Sequence, residues 1–338
     1  MADHTGADGA YEHAGAGGRG QQCRRARRAW HVGLSAEDAR RGIAGFRQQS
    51  SGSLNVNYPM WPEPATTAEI VEPMRQFLQA RYDARGLGAV PEPRGAISDV
   101  SPEHLAMLLE AKPEVVSFHF GLPEPEIVQA IKSAGIFVLS SATTVAEACL
   151  LEARGVDAVI AQGTEAGGHR ATFTGVAVGQ HSGLFSLLPQ VVDAVRVPVI
   201  AAGGVADGRT AAAACMLGAS AVQLGTAFLR CDEASVRDAH RAALAGATES
   251  CTIVTDMISG RPARYIRNRL VDELVQSRLQ PLPIPAQLSL TMPLGEAGDP
   301  EWTPLFAGQS AALTRDTNAA ELVERLAADT TRRLGAFA

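Results

Sequence analysis

From Leu34 onward, short apolar runs alternate with longer segments of helical periodicity. A parallel sheet of βα units has this pattern, because its strands are buried on both faces while each connecting helix buries only a stripe. Six strands are predicted, at 54–58, 115–120, 136–139, 158–161, 199–202 and 221–224. Helix starts stand between them: Ser35 three positions before Asp38, Ser101 followed by Pro102, Thr144 three before Glu147, and Asp207 ahead of an Ala-rich run. After Thr226 the rhythm stops. Residues 231–308, with a Pro-rich stretch at 280–286, predict a helical cap. Leu322, Leu326 and Leu334, with Ala327, recur at helical spacing and predict a last helix packed on the barrel. The expected architecture is α/β, a TIM-type (β/α)8 barrel with a small helical cap, divided into 34–230 (barrel), 231–308 (cap) and 309–338 (C-terminal helix). Two front strands are missing, and residues 1–33 are expected to be disordered.

Composition narrows the class without identifying it. The chain has 338 residues, 46% of them hydrophobic and 20% charged, which is ample apolar material for a barrel-sized core. A net charge of -6 provides no general attraction to nucleic acid or anionic membrane. Cys23, Cys149, Cys215, Cys231 and Cys251 form no C-x-x-C pair or metal-ligand spacing, so reduced thiols, no metal site and a cytoplasmic location are expected. The most apolar stretch, 197–229, is broken by Asp207, Arg209 and many glycines, which argues against a membrane span.

Chemistry in such a barrel sits where strands end and loops begin. The fourth predicted strand runs into Gln162 and the sequence GTEAGGH, which ends with Gly167, Gly168 and His169. Glycines allow close backbone approach, Gln162 offers an amide suited to a heteroaromatic ring edge, and His169 can bind an anion or act as a base. The fifth strand ends in Gly203 and Gly204, and the sixth in Gln223, Leu224, Gly225 and Thr226. Both loops suit a phosphate. Asn57 adds a second amide at the same face. Together these residues suit a phosphorylated, planar cofactor, and FMN fits better than a dinucleotide.

The strings AQGTEAGGHR, VIAAGGVADG and AVQLGTAFL, in this order, resemble the nitronate monooxygenase family, formerly called 2-nitropropane dioxygenases. The likeness runs from about Leu34 to the end and includes ISGRPAR and LFAGQS. It implies that Asn57, Gln162, Gly167, Gly204 and the run from Gln223 to Thr226 hold FMN, with the phosphate on the glycines and Thr226. It implies His169 as the active-site histidine, and a reaction in which an alkyl nitronate and dioxygen give a carbonyl compound and nitrite. The expected partners are these small molecules, with no nucleic acid or membrane; a homodimer is compatible with the likeness.

The front departs from the family. Residues 2–32 are rich in Arg, Gly and Ala and lack apolar periodicity. Read one base later, codons for this stretch can encode P-I-I-Q-A-P-M-G-P and then a helix and strand of the family's type, which motivates a frameshift hypothesis. Resequencing the gene across these codons tests it, and an unshifted read sinks it. GAGGRG at 15–20 lacks the preceding strand and following helix that a dinucleotide site needs, and Arg24, Arg25, Arg27 and Arg28 have the composition of shifted GC-rich DNA.

Bland readings compete elsewhere. His119 suits a bonded core histidine as well as a ligand contact, and Arg261, Arg264 and Arg267 read as a solvated face. Two rival functions stay open: a flavin-dependent enoyl-carrier-protein reductase, and an inactive remnant or barrel that binds a phosphorylated metabolite.

Overall fold

The computed structural model describes residues 35–61, 66–94, 100–296 and 298–336, together with the backbone of 13–15 and 26–30. In chain order the elements begin with β1 (His13–Gly15), β2 (Ala26–Trp30), α1 (Ala36–Gln49), β3 (Ser53–Pro59), α2 (Ala68–Asp83), α3 (Pro102–Ala111), β4 (Val115–His119), α4 (Pro125–Ser133), β5 (Phe137–Ala142) and α5 (Val145–Ala153). They continue with β6 (Ala158–Gln162), β7 (Gly168–His169), α6 (Leu184–Ala194), β8 (Val199–Ala202), α7 (Gly208–Met216), β9 (Ala221–Gln223) and α8 (Asp238–Ala245). Last come β10 (Thr252–Thr255), β11 (Ala263–Ile266), α9 (Arg269–Ser277), α10 (Ala286–Thr291) and α11 (Ala319–Gly335).

The six predicted strands are β3, β4, β5, β6, β8 and β9, which pair in that order, each parallel to the next. They form a curled sheet of the TIM type. Strand alternation divides their side chains between two cores. Val56, Phe118, Val138, Val159, Ala201 and Val222 face the helices and meet Ile43, Met107, Ile131, Leu151, Leu188 and Leu326. Leu139, Ala158, Ile160, Ile200 and Ala202 fill the inside of the curl. The anticipated C-terminal helix is α11, which places Leu322, Val323 and Leu326 in the outer core.

The front and the cap differ from expectation. Two short strands occupy the sheet edges: β2 pairs parallel with β3, and β1 antiparallel with β9. Among the described residues no pairing joins β1 to β2. The remainder of 1–34 lies outside the described residues. The cap is mixed rather than helical, because β10 and β11 form an antiparallel hairpin that continues onto β7. It also recruits α2 from between β3 and α3: Met74, Leu78 and Tyr82 pack with Leu270, Leu274, Leu290 and Trp302 in a second core. The Tyr82 hydroxyl donates to Leu290 O at 2.7 Å, tying α2 to α10.

Candidate active site at the barrel mouth

Two clusters meet at the C-terminal ends of the strands. The first surrounds His169, the last residue of β7. It is buried at 9% exposure, and its ring lies 6.0 Å from Trp61, 6.0 Å from Phe120 and 5.5 Å from Phe306. Its Nε2 is 2.9 Å from Ser259 Oγ. Ser259 donates its single proton to Arg261 O at 2.9 Å and accepts from the Tyr265 hydroxyl at 3.1 Å. In that arrangement His169 donates through Nε2, leaving the lone pair on Nδ1. Burial, reinforced by the positive charge of Arg261, lowers its pKa to about 3. At neutral pH the imidazole is therefore uncharged.

His240, half-buried with its Nε2 3.0 Å from Phe306 O, is lowered to about 4, again by desolvation. Both histidines have folded-state values below the unfolded one, so they stay neutral where the unfolded chain takes up protons. Their contribution to stability is present above about pH 6.5 and is lost as the pH falls toward their folded values. Urea unfolding between about pH 6 and 4 should show stability falling by up to about 1.4 kcal/mol per pH unit for each histidine. A His240→Gln variant should show a shallower fall.

The second cluster is a cradle of loops in which the glycines have identifiable uses. Gly203, at φ 100°, lies so close to the preceding loop that a Cβ would sit 2.9 Å from Ala166 N. At Gly167 a Cβ would come within 2.5 Å of Gly308 N. Thr226 Oγ1 accepts from Gly308 N at 2.9 Å, and Ser310 Oγ donates to Gly204 O at 2.8 Å. Loop packing thus accounts for Gly167 and Gly203. By contrast, the N–H groups of Gly204 and Gly225 make no hydrogen bond among the described residues. Beside them, Gln223 Oε1 is buried and has no partner. An acceptor and two donors are left open at the ends of β8 and β9.

The other predicted residues take varied places. Asn57 is buried on β3 and accepts from Ser117 Oγ at 2.9 Å. Gln162 is occupied locally: its Nε2 donates to His169 O at 3.0 Å and its Oε1 accepts from Ala171 N at 3.0 Å, so the amide straps the glycine loop to β6. Gly168, at φ 72°, turns the chain into His169. Leu224 points into the outer core, which leaves only its backbone for the mouth.

The arginine reading needs correction. Arg264 is buried and donates to Thr164 O at 3.0 and 2.8 Å, and Arg261 lies over the Phe120 ring at 4.1 Å. Only Arg267 is exposed, paired with Asp272 at 2.6 Å. Buried Arg170, which no pattern in the sequence marks, donates to Gly163 O at 2.6 Å and Gln162 O at 2.9 Å. Backbone carbonyls and aromatic faces take these guanidiniums, and spacing along the chain shows neither. His119 is a buried bonded histidine with Nε2 3.3 Å from His169 O.

Comparison with known proteins agrees with this architecture. The model of the family described as nitronate monooxygenase matches residues 86–329. A nitronate monooxygenase of Paraburkholderia phytofirmans is 38% identical over 307 residues, covering 87% of this chain and 82% of that protein. The solved structure of nitroalkane oxidase from Streptomyces ansochromogenes superposes with a TM-score of 0.85 at 37% identity, covering 92% of this chain and 90% of that one. FabK from Thermotoga maritima is also similar, with a TM-score of 0.69 at 26% identity, covering 90% and 84%. With a family match over most of its length and a relative aligned across 87% of it, this chain belongs to the nitronate monooxygenase family.

Proposed function

We propose that the chain is an FMN-dependent oxidoreductase that converts an alkyl nitronate and dioxygen to a carbonyl compound and nitrite. The observation that carries this reading is the mouth itself, where a buried, neutral His169 in an aromatic wall adjoins loops with open polar groups. Those groups suit FMN. The N–H groups of Gly204 and Gly225, with the Thr226 hydroxyl, would take the phosphate, and Gln223 Oε1 would accept from a ring N–H. Asn57 completes the face. Bound there, FMN would supply the one-electron and dioxygen chemistry that no side chain provides.

The chain's own residues then orient the substrate and exclude water. Trp61, Phe120 and Phe306 form an apolar wall around His169, which strengthens polar contacts made inside it. Among the described residues no cluster of His, Cys, Asp and Glu is placed to hold a metal ion, and no helix is long and apolar enough to cross a membrane.

Anaerobic mixing of the FMN-loaded chain with an alkyl nitronate or with NADPH tests the reading. Bleaching of the flavin by the nitronate is expected. Bleaching by NADPH alone would favour the enoyl-carrier-protein reductase alternative, and a preparation that stays colourless after incubation with FMN would favour the remnant.

A further inference from the structure

Among the described residues Arg261, at the mouth, has neither a counter-ion nor a partner for its Nε. The guanidinium of Arg261 rests on the face of Phe120, with its central carbon 4.1 Å from the ring centroid. One of its NH2 groups donates to Thr172 O, while Nε is buried and has no partner. Among the described residues Arg261 forms no ion pair. Its arginine neighbours differ, because Arg170 and Arg264 are committed to the carbonyls of Gln162, Gly163 and Thr164. Glu147 attracts Arg261 from a distance. Both oxygens of that carboxylate are already taken, by donors from Thr143 and from Thr172, Phe173 and Thr174.

The same guanidinium lowers the basicity of His169, so the two side chains share one electrostatic environment. With His169 neutral, the positive charge there is that of Arg261. A guanidinium is a planar fork that matches a planar, two-oxygen anion, and partial burial strengthens such a pair relative to water. The cation–π contact with Phe120 holds the guanidinium at the mouth.

We propose that Arg261 recognises the planar anionic head of the substrate, the two oxygens on the nitrogen of the nitronate. This assignment rests on the function proposed above and adds the residue that makes the site selective for an anion. The test uses the full FMN-loaded chain as wild type, Arg261→Gln and Arg261→Lys, with steady-state kinetics on propyl-1-nitronate. Inorganic nitrate, a planar oxyanion that is not turned over, serves as a second probe, read by the flavin difference spectrum and by the thermal shift of the flavin-free chain. Arg261→Gln should raise KM for the nitronate and the nitrate Kd by about 10- to 100-fold, the worth of one charge-assisted pair, with the loss in KM rather than kcat. Arg261→Lys should fall between, because an ammonium keeps the charge but loses the fork.

Nitrate and nitronate binding unchanged in a folded Arg261→Gln protein would overturn the assignment. If the wild type bound nitrate in an Arg261-dependent way yet made no nitrite from nitronates, the anion site would stand and the proposed reaction would fall.

Discussion

At pH 7 the FMN-loaded chain should oxidise an alkyl nitronate with a kcat/KM about 10²- to 10⁴-fold above that for the parent nitroalkane, the range general-base catalysis contributes when it operates. A neutral nitroalkane must lose its α-proton before it can react as a nitronate, and the candidate acceptor in the mouth is His169. That imidazole carries a lone pair at neutral pH, but a group whose pKa is held near 3 is a weak base toward a carbon acid. Its neutrality has a clear cause. Charging it would place a cation among Trp61, Phe120 and Phe306, next to Arg261. The preformed nitronate needs no proton removed and finds a positive charge waiting. Oxygen uptake with a nitronate pre-equilibrated in base, against fresh nitroalkane at the same pH, measures the ratio. Equal efficiencies would show that bound ligand raises His169 into the range of a working base.

Glu147→Ala should destabilise the fold by about 3–5 kcal/mol, because it leaves several buried donors without their acceptor, at about 1–3 kcal/mol for each one that finds no other. The carboxylate is fully buried. One oxygen accepts from Thr143 N and Oγ1, each at 2.7 Å; the other accepts from Thr172 Oγ1, Phe173 N, and Thr174 N and Oγ1. Burial alone would raise its pKa, but these donors outweigh burial and lower it. Its contribution to stability is therefore full above the unfolded carboxylate value and is lost as pH falls through the lower folded value. Glu147→Gln should cost less, since the amide oxygen can still serve the 172–174 loop while its NH2 opposes the Thr143 donors. Chemical denaturation at pH 7 should rank wild type above Gln above Ala, with the gaps narrowing in acid. Because Thr172 O holds Arg261, both variants should also raise the nitronate KM.

The sequence was most legible where the governing interaction is local. Ser35, Ser101, Thr144 and Asp207 were each read as helix starts, and each side chain accepts from the backbone N–H of its own first turn. The six strands stood out because a buried parallel strand is apolar over its whole length. Helix α2 was missed, since Pro73 interrupts its pattern and its packing partners lie about 200 residues away in the cap. The β10–β11 hairpin was missed for a related reason: its strands are four residues each, and the edge they join is the two-residue β7.

At the site, chemistry was easier to find than geometry. Gln162 does close β6, but its amide faces its own loop, and His169 lies in the two-residue β7 instead of a free loop. Spacing alone marks Arg261 as a surface charge, because it cannot show that Phe120 lies beneath the guanidinium. The role of Glu147 was legible only as a capping residue; its contact with the 172–174 loop is tertiary.

Nitrite production and oxygen consumption by the purified full chain reconstituted with FMN, with propyl-1-nitronate as substrate, test the central claim most directly. The account predicts nitrite release that accompanies oxygen uptake and depends on FMN. A chain that binds FMN yet forms no nitrite from any alkyl nitronate offered would contradict it.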